Sequence, residues 1–189
     1  MKFLAIIVSL LFVLIGTVYA ESHPMSYIGD ISSEPAKKVQ QMIDDFKAGD
    51  IEKAKKYIVQ PSDAKKKEYV DKQLSRTSKM LATGGLVYKV LDSRVSGNWA
   101  VVAVSVYRNL ENNGETFKSS WLANEVLYRD GDKWMIIPQA IRYKDPKVEN
   151  WKKGGFKKIM NQWRKEVRKA IVQYNPQKEK ALAKLKKQQ

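Results

Sequence analysis

Tyr88 and Asp92 lie four residues apart in LVYKVLDSRV, and Trp121 and Glu125 lie four apart in SSWLANEVLY. In a β-strand every second side chain faces the same way, so unbroken alternation places the members of each pair on one face. A carboxyl beside a phenol or an indole on a concave face is the arrangement that general acid–base chemistry uses, because burial moves the carboxyl pKa toward neutrality. The opposite arrangement is the commoner one for ionisable strand residues. Asp92 and Glu125 would then face solvent, and the aromatics would fill an ordinary core. Other chemistry is poorly supplied. His23 is the single histidine and there is no cysteine, so an oriented Ser-His or Cys-His pair and a zinc or copper site are not expected. No glycine-rich phosphate loop occurs, and Gly84-Gly85 reads as a helix stop. No metal and no cofactor is expected.

A second set of residues is basic. In GFKKIMNQWRKEVRKAIVQY (155–174), Phe156, Ile159, Met160, Trp163, Val167, Ile171 and Tyr174 recur at helical spacing. Lys157, Lys158, Arg164, Lys165, Arg168 and Lys169 fill the other side. Three uses compete for this helix: packing on the chain's own core, lying on an anionic membrane surface, or meeting a protein partner. The charge belongs to this end of the chain. The formal net charge is +15, and residues 144–189 hold 15 Lys+Arg against 4 Asp+Glu. Residues 21–143 are nearly balanced, with 19 basic and 16 acidic side chains.

The elements that must position these residues follow from periodicity and punctuation. Ser33, then Glu34-Pro35, opens a helix with Ala36, Val39, Met42, Ile43 and Phe46 on one stripe. Asp50 caps a short second helix with Ile51, Ala54, Tyr57 and Ile58. A Lys-rich third helix runs from Pro61-Ser62 to about Thr83, with sparse apolar positions at Tyr69, Leu74, Met80 and Leu81. From Leu86 the pattern changes to four strands rich in Val, Ile, Tyr and Trp, separated by SGN, ENNG and DGD turns. Three helices followed by an antiparallel meander make an α+β domain whose helices cover one sheet face. The strand tryptophans Trp99, Trp121 and Trp134 are expected mainly in the core.

AGDIEKAKKYI, followed by a meander ending in LYRDGDKWMIIP, resembles the nuclear transport factor 2-like superfamily over about residues 34–142. The resemblance implies a bent, cone-like sheet over three N-terminal helices. Active members of that superfamily often place an Asp base and a Tyr donor inside the cone. The superfamily also includes isomerases, cyclases, dehydratases, ligand binders and structural subunits, so it leaves the activity open.

MKFLAIIVSLLFVLIGTVYA reads as a secretory leader: Lys2, an apolar run from Phe3 to Ile15, and small residues before a cleavage point between Ala20 and Glu21. Retained, Phe3–Ala20 could just span a bilayer as an anchor. Export without any cysteine fits a bacterial periplasmic or secreted protein better than a disulfide-stapled module. The chain then divides into a leader (1–20), a loose segment (21–33), the α+β domain (34–143) and a basic helical extension (144–189). The combined expectation is a non-enzymatic binding or structural module of the bacterial envelope. Its basic helix would contact an anionic membrane, a cell-wall polymer or an acidic protein, and a homodimer through the sheet is open. Export argues against nucleic acid as the natural partner. The alternative is a small-molecule binding protein, or an isomerase- or lyase-type enzyme, using Tyr88, Asp92, Trp121 and Glu125.

Overall fold

The computed structural model describes residues 28–112 and 115–173. Helix α1 (Glu34–Lys47) begins where the Ser33 hydroxyl accepts a hydrogen bond from the Ala36 N–H at 3.2 Å. Asp50 caps α2 (Ile51–Lys55) and Asp63 caps α3 (Ala64–Ala82), each through an N–H three residues on. Strands β1 (Leu86–Ser96), β2 (Trp99–Asn112), β3 (Glu115–Asp130) and β4 (Lys133–Ile137) form one antiparallel sheet in sequence order. Gly97 and Gly131 sit in the left-handed region at the β1–β2 and β3–β4 turns, where a side chain would be strained.

Strand β2 explains the architecture. Ala100, Val102, Val104 and Val106 face α1 and α3, in a core with Val39, Ile43, Phe46, Leu81, Leu127 and Trp134. Trp99, Val101 and Ala103 face the other way, into a second core. A strand buried on both faces has no reason to alternate polar and apolar residues, and WAVVAVSV does not.

The second core is roofed by the C-terminal segment: α4 (Pro146–Trp151), α5 (Phe156–Gln162), a wide π turn (Trp163–Val167) and α6 (Arg168–Gln173). Ile159, Trp163, Val167 and Ile171 pack there against Leu91, Trp99, Val126 and Ile137. Helices α1–α3 therefore cover one sheet face as expected, and the basic helix supplies a layer on the other. Of its three competing uses, packing inward is the one its apolar stripe serves, while Tyr174 lies outside the described residues.

The π turn matters for that stripe. A step of four residues in an α-helix overshoots one turn by about 40°, so residues at 159, 163, 167 and 171 would spiral away from the sheet. The wider turn, closed by the Arg168 N–H donating to the Trp163 carbonyl, takes back part of that drift. Aromatic contacts fix the start of the helix. Trp99 meets Tyr128 and Phe156 edge-on, each at 4.9 Å between centroids, and Trp151 stacks on Tyr128 at 4.5 Å. Buried Asp145 ties the segment back to the α2–α3 loop, accepting from the Ser62 N–H at 2.9 Å and the Ser62 hydroxyl at 3.2 Å.

Two sequence expectations need correction. Tyr69 is 54% exposed, and α3 instead buries Val70, Ser78 and Leu81, with Leu74 packed beside them. Trp99 and Trp134 are core residues, but Trp121 is 43% exposed.

Candidate functional site

Strand β4 pairs only with Val126–Asp130 of β3, so Trp121–Glu125 run along an edge that no strand covers. Pro138 follows β4 and cannot continue a ladder. The chain then turns tightly, with the Ile141 N–H donating to the Pro138 carbonyl and the Arg142 N–H to the Gln139 carbonyl. This turn lays Arg142 along the open edge. Its guanidinium donates to the Asn124 side-chain oxygen at 2.9 Å and to the Asn124 carbonyl at 3.2 Å, occupying the place of the missing strand.

A cleft of about 560 Å³ opens at this edge and reaches between the two helical layers. Phe46, Leu74, Val106 and Ile136 line its apolar part. Tyr88, Trp121, Glu125 and Arg142 line it from the domain side, and Trp163 and Arg168 from the C-terminal helix. In a regular α-helix, residues five apart point about 140° away from each other. The i→i+5 hydrogen bond of the π turn puts Trp163 and Arg168 roughly one turn apart instead, so both reach the cleft.

The electrostatics follow from burial. Desolvation pushes the Glu125 carboxyl above its ordinary range, against the pull of the nearby Arg142 guanidinium. Among the described residues no hydrogen bond supports the charged form of Glu125. Tyr88 is pushed up to about 12, first by burial and then by the Glu125 charge. Arg142 is held below its ordinary value by burial, with Glu125 and Tyr143 opposing the shift.

Asp92 does not join this group. Leu91 forms a β-bulge, and the pairing shifts from Val90↔Val104 to Asp92↔Ala103. Tyr88, opposite Val106, faces the first core, whereas Asp92, opposite Ala103, faces the second. One extra residue has broken the alternation on which the Tyr88–Asp92 pairing rested. Nor is Asp92 solvent-facing. It is fully buried, and its Oδ1 accepts from the Asp30 N–H at 3.0 Å, the Ser93 N–H at 2.8 Å and Arg94 Nη1 at 2.6 Å. It is the anchor that holds the segment before α1 on the bulge, where the Gly29 N–H donates to the Leu91 carbonyl at 2.6 Å.

Lys157, Lys158, Arg164, Lys165, Arg168 and Lys169 are all exposed along the packed helix. Among the described residues none has a carboxylate within ion-pair distance. The two acidic side chains of this segment are turned elsewhere, Glu149 to Lys152 at 2.6 Å and Glu166 toward Arg94 at 3.8 Å. Ala20, Glu21 and His23 lie outside the described residues. Within the described residues no cluster of three or more His, Cys, Asp or Glu could hold a metal ion.

Sequence reasoning missed Arg142 and the second role of Arg168 and Trp163. Arg142 stands alone between Ile141 and Tyr143 just past an apolar strand, which is a weak signal of a buried cation. Trp163 read only as part of a core stripe.

No family model matches the chain, and no curated protein matches it by sequence. By structure it is similar to a candidate ketosteroid isomerase from Shewanella frigidimarina, 16% identical with a TM-score of 0.46, over 58% of this chain and 94% of that one. It is also similar to a candidate NTF2-like transpeptidase from Campylobacter jejuni, 16% identical with a TM-score of 0.43, over 57% and 100%. An uncharacterized cystatin-fold protein from Novosphingobium aromaticivorans is 14% identical with a TM-score of 0.41, over 56% and 97%. Three helices followed by a four-stranded antiparallel meander is also the order of elements that the sequence resemblance implied. At these levels of identity and superposition the three structures do not bear on what this chain binds.

Proposed function

We propose that the chain is an exported, non-catalytic binding module of the bacterial envelope, and that the basic side of its C-terminal helix docks it on an anionic membrane surface. The observation that supports this reading is the division of labour on one helix. Ile159, Trp163, Val167 and Ile171 are buried in the protein's own core, which fixes the helix rigidly. Its exposed Lys and Arg side chains are left without described carboxylate partners. A folded helix of this kind cannot insert its apolar face into lipid, so contact would be peripheral and electrostatic. Each Lys or Arg near an anionic bilayer contributes about 1 kcal/mol, and the attraction fades within a Debye length of about 8 Å at physiological salt.

Co-sedimentation tests this. The exported protein, purified after expression with its own leader and with its N-terminus determined, should pellet with phosphatidylglycerol vesicles and stay in solution with phosphatidylcholine vesicles. About 0.5 M salt should release it, since the Debye length then shrinks well below the size of the patch. The triple variant K157E/K158E/K165E should melt like the wild type and no longer pellet. Binding to neutral vesicles, or binding unchanged by salt and by the triple variant, would refute electrostatic docking.

A further inference from the structure

The cleft at the β3 edge holds an imbalance that the docking surface does not explain. Arg142 is only 4% exposed, and two of its N–H groups are used on Asn124. Its Nε is buried without a hydrogen-bond partner. Among the described residues no carboxylate lies within ion-pair distance of it. A buried cation left without a counter-charge is costly, and a buried unpaired N–H adds to that cost. Glu125 is the nearby acid, but burial favours its neutral form. Arg168 adds a second guanidinium at the same cleft. The cleft therefore presents positive charge and donors at one end, and an apolar floor of Phe46, Leu74, Val106 and Ile136 at the other.

We infer that this cleft binds a small amphiphilic carboxylate, its apolar body on that floor and its carboxylate against Arg142 and Arg168. The size suits the class, because clefts of roughly 300–1,000 Å³ enclose molecules of drug-like size. The charge suits it as well. One free buried N–H and one exposed guanidinium balance a single negative charge, whereas a phosphate dianion would leave oxygens unsatisfied. A neutral Glu125 would donate its O–H to the bound carboxylate rather than repel it. Trp121 and Trp163, from opposite layers, would flank the chain of such a ligand. The site depends on the C-terminal helix, since Trp163 and Arg168 reach it only through the π turn.

Calorimetric titration of the exported protein with octanoate, octanol and octylamine at about 0.15 M salt tests the inference. Octanoate should bind saturably, one per chain, and the alcohol and the amine at least tenfold more weakly. Arg142→Gln should weaken octanoate at least tenfold and leave octanol unchanged. Thr77→Trp, which fills the cleft from α3, should abolish octanoate binding without altering the melting temperature. The ligand series uses the wild-type protein alone, so it decides the matter even if Arg142→Gln does not fold. Equal affinities for the three ligands would overturn the carboxylate assignment, and no saturable heat for any would overturn the site. Octanoate binding lost in K157E/K158E/K165E would place the ligand on the lysine surface and overturn it equally.

Discussion

Asp92 at the β1 bulge and Glu125 at the β3 edge are both strand carboxylates removed from bulk water, yet they sit in opposite circumstances. Asp92 is roofed by the C-terminal layer, and two backbone N–H groups and a guanidinium converge on one of its oxygens. Glu125 faces a cleft, no described hydrogen bond supports it, and its nearest cation is already engaged with Asn124. A buried charge whose partners are built into the fold is structural, because every neighbour is committed. A buried acid and a buried cation that are both incompletely partnered leave work for a ligand. The two carboxylates should therefore respond in opposite directions to removal, and the difference can be tested from either side.

The largest effect should come from ending the chain after Tyr143. That unroofs the face on which Asp92 lies and exposes Leu91, Trp99, Val101, Val126 and Ile137. Each of Ile159, Trp163, Val167 and Ile171 contributes about 1.5–3 kcal/mol through burial, and their sum rivals a typical domain stability of about 5–15 kcal/mol. The shortened chain should show no cooperative thermal transition by near-ultraviolet circular dichroism. A cooperative melt within a few degrees of the full protein would mean that the second layer is an appendage and not a core.

Asp92→Ala comes next. It strands Arg94 and the N–H groups of Asp30 and Ser93, and should cost about 3 kcal/mol in urea denaturation. Gly29→Ala attacks the same junction from the other side, because a Cβ there would overlap the Asp92 carboxyl group. Overpacking of this kind costs about 1–3 kcal/mol. Gly155→Ala probes the start of the roof. Its φ of 82° is in the left-handed region, and a Cβ would lie 3.2 Å from Trp99 Cδ1, so a loss of about 1–2 kcal/mol is expected.

Much of this molecule is legible in the sequence for physical reasons. Ser33 and Asp50 announce helix starts because a short side-chain oxygen before an apolar stripe has one obvious use. The SGN and DGD turns fix the meander, and the pairing of Trp121 with Glu125 follows from unbroken alternation in β3. The second layer was also encoded, in the continuous apolar run of β2, which only a strand covered on both faces can carry. The bulge at Leu91 was not legible. One inserted residue leaves the composition of β1 unchanged while reversing the face of everything after it, so Asp92 was assigned to the wrong side. Arg142 was hidden for a different reason. Its role depends on where β4 stops along β3, a matter of register between strands and not of local pattern.

Glu125→Gln should give the smallest change and the most telling sign. The folded protein holds the Glu125 proton more tightly than an unfolded chain does, since burial raises the carboxyl above its ordinary value of 4.5. Below that value both states are protonated, and the wild type and the variant should be about equally stable. As pH rises past it, the unfolded chain releases the proton readily and the folded one resists, so the wild type loses stability relative to Glu125→Gln. Melting temperatures compared from acid to neutral pH should thus diverge in favour of the variant. Asp92→Asn, which removes a charge that the fold has partnered, should be the less stable protein at neutral pH. If Glu125→Gln were instead destabilised at neutral pH by as much as Asp92→Asn, Glu125 would be a partnered structural charge, and the contrast between bulge and edge would fail.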